Sequence, residues 1–322
     1  MSPDLPPTLK VALDQKAEGL SRNDAAQRSA AISQTYRGGG GSSTIKSETD
    51  ALAYALARMP ATYAAVAASL TALADVRPEF APESLLDIGA GPGTATWAAA
   101  EAFTSLRQFT LVDANAALRD LAIELTRSNP RLSAMHYDKG DARKLVDEQQ
   151  PADFVVASYV INELSDTERA ALADVMWSKA RDTLLIVEPG TPAGYARIID
   201  VRARLIAQGA HVIAPCPHDA ACPLVAPDWC HFSQRLSRSR THKHLKGADL
   251  PYEDERFSYV VLSRSPLHQR PSRVLAEPQV TKIAVTAKLC TAEGVDIANI
   301  PHRNKESYKR AKRWRWGDAV SR

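Results

Sequence analysis

No stretch of the 322-residue sequence offers the roughly twenty strongly apolar residues that a membrane-spanning helix needs. The nearest approach, residues 51–74, is mostly alanine and contains Arg58 and Pro60. The start of the chain, with Pro3, Pro6 and Pro7, lacks the basic-then-apolar layout of a secretion signal. Together these absences predict a cytoplasmic protein without membrane association. Cysteine is scarce, four residues in all, and in a reducing compartment that number points to free thiols or metal ligands instead of a disulfide framework. What is present suits a folded chain: hydrophobic residues are 45% and charged residues 24%.

Net charge is +3, but the balance is uneven along the chain. Residues 1–200 carry 19 basic and 26 acidic side chains, whereas residues 201–322 carry 21 basic and 11 acidic. A basic C-terminal third beside an acidic remainder suggests a polyanionic partner. Five Lys/Arg and no acid fall between His231 and Ala248. Seven more, Arg303, Lys305, Lys309, Arg310, Lys312, Arg313 and Arg315, stand against Glu306 alone. They are interleaved with Tyr308, Trp314 and Trp316. Cations that neutralise phosphates, with aromatic faces on which bases stack, favour RNA.

Hydrophobic periodicity predicts a helix over residues 8–37, a four-glycine hinge at residues 38–41, and two helices over residues 48–76 divided at Pro60. Strands and helices alternate thereafter. The predicted strands are residues 84–88, 109–112, 153–158, 183–187, 257–262 and 280–289. This predicts an α/β fold with a doubly wound, mostly parallel sheet. The expected divisions are an N-terminal helical region (1–80), a nucleotide-binding core (81–210), a cysteine-rich metal-binding insertion (211–256), the last two core strands (257–300) and a basic tail (301–322).

The segment Asp87-Ile88-Gly89-Ala90-Gly91-Pro92-Gly93 sets three glycines at alternate positions between a strand and a helix. Backbone without side chains turns sharply and approaches a ligand closely, and the helix start offers unpaired amides. A phosphate-cradling P-loop would end in Gly-Lys-Ser/Thr, and a dinucleotide fingerprint would have glycine where Thr94 stands; neither fits. Asp113, closing the second strand, is placed for ribose hydroxyls. The loop and Asp113 resemble the first two motifs of class I S-adenosylmethionine-dependent methyltransferases, and Asp141 in Gly140-Asp141-Ala142 resembles the third, whose acid contacts adenine. The candidate cofactor-binding residues are Asp87, Gly89, Gly91, Gly93, Asp113, Asp141, Ser158 and Tyr159. No Asn/Asp-Pro-Pro-aromatic motif for exocyclic amines is present, and no catalytic residue is identified.

Cys216, Cys222 and Cys230 punctuate a proline-rich stretch, and Cys290 follows 60 positions later. Four thiolates on one centre would anchor such a loop, as tetrahedral zinc or an iron-sulfur cluster; the spacing matches the usual run of neither. The Pro215-Cys216 dipeptide also suggests the nucleophile of a pyrimidine C5-methyltransferase, a role that excludes ligation.

Further segments carry a wider likeness: Ser158-Tyr159-Val160-Ile161-Asn162-Glu163-Leu164, Val187-Glu188-Pro189-Gly190-Thr191-Pro192, Cys216-Pro217-His218, Trp229-Cys230-His231-Phe232 and Trp316-Gly317-Asp318. With the glycine loop, they make the chain resemble the methyltransferase-like family of mitochondrial small-ribosomal-subunit assembly proteins and their bacterial relatives. The resemblance implies a class I seven-stranded-type methyltransferase sheet and a [4Fe-4S] cluster on Cys216, Cys222, Cys230 and Cys290. It also implies the small ribosomal subunit or its precursor rRNA as partner, the protein being otherwise monomeric. Two activities follow from it: RNA methylation, or non-catalytic assembly in which S-adenosylmethionine and the cluster serve structure.

Overall fold

The computed structural model describes residues 1–37 and 40–321; Gly38, Gly39 and Arg322, and with them the first half of the expected glycine hinge, lie outside the described residues. Three helices come first: α1 (Pro7–Lys16), α2 (Arg22–Arg37) and α3 (Glu48–Val76). The single helix expected over residues 8–37 is two, because the chain passes between them through Gly19 at φ +82°, a conformation that ends a helix.

α3 begins with a capping box. Ser47 Oγ accepts from the Asp50 amide at 3.1 Å and the Asp50 carboxylate accepts from the Ser47 amide at 3.0 Å. Pro60 does not divide α3 as expected. Its missing amide costs about 3 kcal/mol, which is offset because the helix is buried on both sides of it, through Leu52, Leu56 and Met59 before and Tyr63, Val66 and Leu70 after. α3 is long and apolar enough to cross a membrane by length and composition, but 56% of its apolar window is buried inside the protein, where it packs on neighbouring helices and the main sheet.

The alternating region follows as β1 (Ser84–Ile88), α4 (Thr94–Ala102), β2 (Gln108–Asp113), α5 (Ala116–Thr126), β3 (His136–Lys139), α6 (Ala142–Glu148), β4 (Ala152–Ser158), α7 (Asp166–Lys179), β5 (Ala180–Pro189) and α8 (Pro192–Ile206). It continues with β6 (His211–Ala214), β7 (Phe232–Ser237), α9 (Arg240–Leu245) and β8 (Tyr252–Ser263). The sheet order is β3-β2-β1-β4-β5-β8-β6, with β7 also on β8. The pairs from β3 to β5 are parallel and β8 runs antiparallel to its neighbours. β1 is buried along its whole length, as a parallel strand covered on both faces must be. One face carries Phe80, Phe103 and Phe154, edge to face with centroids 5.2–5.9 Å apart; the other is filled by Leu86, Val155, Ile186, Met176 and Trp177.

The expectation that residues 257–300 supply the last two core strands is not met. The strand beside β8 is β6, which lies in the supposed insertion, and residues 280–289 belong to a second sheet. That sheet comprises β9 (Ser272–Val274), β10 (Gln279–Val280), β11 (Ala284–Thr291), β12 (Gly294–Pro301) and β13 (Ala319–Val320), with α10 (Lys305–Ala311) before β13. β11 and β12 pair through a hairpin from Thr291↔Gly294 to Ala284↔Pro301, so β11 finds its partner locally without crossing to the main sheet. The tail is thereby a structural element, since β13 pairs with β9.

Phe154→Ala should lower stability by about 3–5 kcal/mol, because it opens a void between two other rings; denaturant unfolding followed by far-UV circular dichroism measures it.

Candidate functional site

β1 has β2 on one side and β4 on the other, so the chain reverses direction of winding there, and a crevice opens at the strands' carboxyl ends. Into it the glycine loop turns. Gly89, Gly91 and Gly93 have φ of +67°, +53° and +78°, and a Cβ on Gly89 would lie 2.4 Å from Val160 Cγ2. Two side chains fix Gly91: its amide donates to Asp113 Oδ2 at 2.9 Å, and its carbonyl accepts from the Tyr137 hydroxyl at 2.6 Å. Asp113 Oδ1 accepts from the Asn115 amide at 2.7 Å. Asn115 caps α5, and its side-chain amide donates to the carbonyls of Ser42 and Ile45, tying the segment before α3 across the crevice.

The resulting cavity has a volume of about 360 Å³, within the range of small-ligand sites. Gly89, Gly91, Asp113, Asp141, Ser158 and Tyr159 line it; Asp87 and Gly93 do not. Asp87 is fully buried beneath the loop, where one carboxylate oxygen accepts from the Thr96 amide at 3.1 Å and hydroxyl at 2.7 Å. It is a strut between β1 and α4. Tyr159 has φ +58°, unusual for a side chain of this size, and its hydroxyl donates to Glu255 at 2.9 Å.

Sequence motifs passed over part of the wall: Tyr54, Met59 and Thr62 from α3, Ser42, and Glu168. An alanine-rich helix gives no sign of which face will border a ligand. Four acids, Asp113, Asp141, Glu163 and Glu168, line the cavity, which suits a ligand bearing positive charge. Burial, then the neighbouring Asp113 charge, pushes the Glu163 carboxyl up to about 7, while the Ser42 amide opposes the shift. Burial likewise lifts Asp87 to about 7 and Glu188, at the end of β5, to about 8.

All four cysteines are free thiols. Three lie between β6 and β7 and the fourth in β11, so the second sheet brings Cys290 to the loop. Burial first, then the charges of Cys216, Cys222 and Cys290, raises the Cys230 thiol, and burial with Cys216 and Cys222 pushes Cys290 up to about 12. The Tyr195 hydroxyl donates to Cys222 Sγ at 3.1 Å. Two arginines, each 2% exposed, face the same thiols. Arg202 donates to the carbonyls of His218 and Ala220, and Arg273 to those of Pro215 and Gly317. Among the described residues neither pairs with a carboxylate.

The expected metal-binding insertion is nevertheless not shown: among the described residues, no group of three or more His, Cys, Asp or Glu side chains is arranged to hold a metal ion. Zinc, which requires four ligands closing on a single ion, finds no support. His231 is stacked on Trp229 and edge-on to Trp316, with centroids 4.8 Å apart in each case. Cys216 does not line the glycine-loop cavity, and burial raises its pKa, against a nucleophilic role.

The two basic clusters differ. Between His231 and Ala248, Arg235 pairs with Asp254, and Arg238 and Lys246 both pair with Glu253. The seven tail cations are exposed, and among the described residues none forms an ion pair. The three aromatics expected to stack on bases are half-buried: Trp314 packs on the second sheet's core, Trp316 packs on the main core and donates to the His231 carbonyl at 2.9 Å, and the Tyr308 hydroxyl donates to the Thr281 carbonyl.

A reversed strand between β5 and β6, with a glycine loop and an acidic residue at the ends of β1 and β2, defines a methyltransferase-like α/β fold. Residues 48–321 match the model of the family described as mitochondrial small ribosomal subunit Rsm22, and the chain belongs to that family. Among its relatives, the human ribosome assembly protein METTL17, mitochondrial, is 28% identical over 292 residues, 84% of this chain and 62% of that protein. The Schizosaccharomyces pombe Rsm22-cox11 tandem protein 2, mitochondrial, is 26% identical over 261 residues, 69% of this chain and 33% of that protein. The chain thus spans less than two thirds of the length of either.

Solved structures with some likeness include an O-methyltransferase family protein from Burkholderia thailandensis, at 13% identity and TM-score 0.45 over 68% of this chain and 60% of that one. Another is magnesium protoporphyrin IX methyltransferase from Synechocystis PCC 6803 with bound S-adenosylhomocysteine, at 12% and 0.42 over 64% and 84%. Likenesses of this size add nothing to the strand order. The cytoplasmic location expected from the sequence does not stand, because the family and both relatives are mitochondrial.

Two outcomes test the cavity. Gly89→Ala should cost about 1–2 kcal/mol in backbone conformation alone and more where the added methyl meets Val160; denaturant unfolding measures the loss. The Glu163 carboxyl binds its proton more tightly folded than unfolded, so its contribution to stability is lost as pH rises through about 7. Glu163→Gln should therefore raise the melting temperature more at pH 8 than at pH 5.

Proposed function

We propose that the protein binds S-adenosylmethionine in the glycine-loop cavity and transfers its methyl group to RNA of the small ribosomal subunit or its precursor. The observation that carries this reading is the acidic cavity built on Gly91 and Asp113 at the reversal point of the sheet. Gly89 and Gly91 would lie along the methionine portion, Asp113 would accept from ribose hydroxyls with its remaining lone pairs, Asp141 would face the adenine, and Ser158 and Tyr159 would border the methyl group. Bound there, S-adenosylmethionine supplies an electrophilic methyl group, while the protein orients the reactants and excludes water. The unpaired tail cations would hold RNA phosphates.

Among the described residues, no histidine or cysteine lines the cavity to serve as base or nucleophile. That favours a second reading, in which ligand binding stabilises a shape that fits immature subunit RNA without methyl transfer. Labelled S-adenosylmethionine incubated with the protein and precursor subunits separates them: labelled RNA is expected for transfer, and tight ligand binding without label overturns it. Replacing the seven tail cations with glutamine should weaken RNA binding and flatten its salt dependence; an unchanged salt slope would reject the tail as the RNA contact.

We further propose that the four thiols hold a [4Fe-4S] cluster. Their mutual electrostatic contact supports this, as do the buried Arg202 and Arg273, which have no carboxylate partner among the described residues and would be compensated by an anionic group larger than one ion. Such a cluster would fasten the cysteine loop to the second sheet. Protein isolated without oxygen should contain about four iron and four sulfide per chain, and Arg202→Met with Arg273→Met should reduce that content. Zinc, or no metal, in the anaerobic preparation would overturn the assignment.

A further inference from the structure

A second cavity, about 660 Å³ in volume, shares Tyr54, Thr62 and Tyr159 with the glycine-loop cavity. Its charge is opposite. Arg58 of α3, Arg197 of α8 and Lys246, the residue that follows α9, line it, three cations from three parts of the chain, where the first cavity is lined by four acids. The carboxylates that compensate these cations stand behind them. Glu188 lies 3.7 Å from Arg197 and is fully buried, Glu253 holds Lys246, and Glu255 accepts from the Tyr159 hydroxyl and faces Arg58 electrostatically. None of the three lines the cavity.

The first turn of α8 contributes as well. Thr191, its N-cap, and Ala193 lie on the wall, where the start of a 15-residue helix adds partial positive charge. Hydroxyls of Ser33, Thr62 and Thr191 and the Asn162 amide complete a polar lining, with Tyr54 and Tyr159 at the boundary between the cavities. A partly open cavity lined by cations whose carboxylate partners lie off its wall favours an anion. Its volume exceeds what inorganic phosphate requires and falls within the range of sites for small organic ligands.

We propose that this second cavity takes one nucleotide of an RNA strand, with its phosphate held by Arg58, Arg197 and Lys246 and its base and ribose beside Tyr54 and Tyr159. The inference rests on the reading of the first cavity as the methyl-donor site, and it makes a phosphate-bearing nucleotide, not a protein side chain, the acceptor-side ligand. The site is separate from the exposed tail cations, which would contact the strand elsewhere.

The test uses the full chain saturated with S-adenosylhomocysteine. Each of the four ribonucleoside 5′-monophosphates, the matching nucleosides, inorganic phosphate and a glutamate-rich peptide are titrated by calorimetry. At least one monophosphate is expected to bind roughly tenfold or more tighter than its nucleoside and more tightly than phosphate alone. Arg58→Gln and Arg197→Gln, on different helices, should each weaken the monophosphate roughly tenfold while S-adenosylhomocysteine affinity stays as in the wild type, which also reports that the variants fold. Equal affinity for monophosphate and nucleoside overturns the proposal. So does phosphate bound as tightly as the nucleotide, or a peptide whose binding depends on Arg58. Failure of the wild type to bind S-adenosylhomocysteine would instead remove the donor-site reading, so the two failures are distinct.

Discussion

Asp113 is a buried carboxylate whose oxygens are occupied by the amides of Gly91 and Asn115, and the candidate site depends on that arrangement. One contact holds the glycine loop in its left-handed path. The other fixes the start of α5, whose capping residue Asn115 in turn fastens the segment before α3. Burial disfavours the charged form of Asp113, and only the amide dipoles around it oppose that effect. The carboxylate therefore requires the closed loop as much as the loop requires the carboxylate.

The same logic, buried charge and its compensation, organises the rest of the molecule. Asp87, Glu163 and Glu188 are carboxyls pushed upward by burial, and Arg202 and Arg273 are buried guanidinium groups that donate to carbonyls, Arg202 Nε being left without a partner. Each is costly in isolation. They gather in two places, the crevice above the main sheet and the thiol-bearing loop between the two sheets. Ordinary packing does not ask for charges there.

Much of the fold was legible along the chain because parallel strands buried on both faces leave unbroken apolar runs, and β1, β2, β4 and β5 fall where those runs are. The glycine loop was equally plain. Illegible were β6, only four residues long, and the second sheet as a separate unit: β11 read as a strand, but its pairing with β12 instead of the main sheet is not a property of its pattern. α3 read as broken because Pro60 is a local signal, and burial on both sides of it overrides local signals. The cations between His231 and Ala248 read as an open surface, yet acids of β8, 7 to 19 positions further along the chain, neutralise three of them.

The residue types and spacing of the glycine loop, and the order of strands and helices around it, follow from sequence alone, because turn chemistry and hydrophobic period are local properties. Tertiary structure decided which groups meet. It put Asp87 under the loop and off its wall, turned the tail tryptophans inward, and carried Cys290 to the other thiols. It also set acids and bases on opposite sides of Tyr54 and Tyr159. Such pairings join residues far apart in the chain, and only the closing of the sheet and its helices fixes the distances between them.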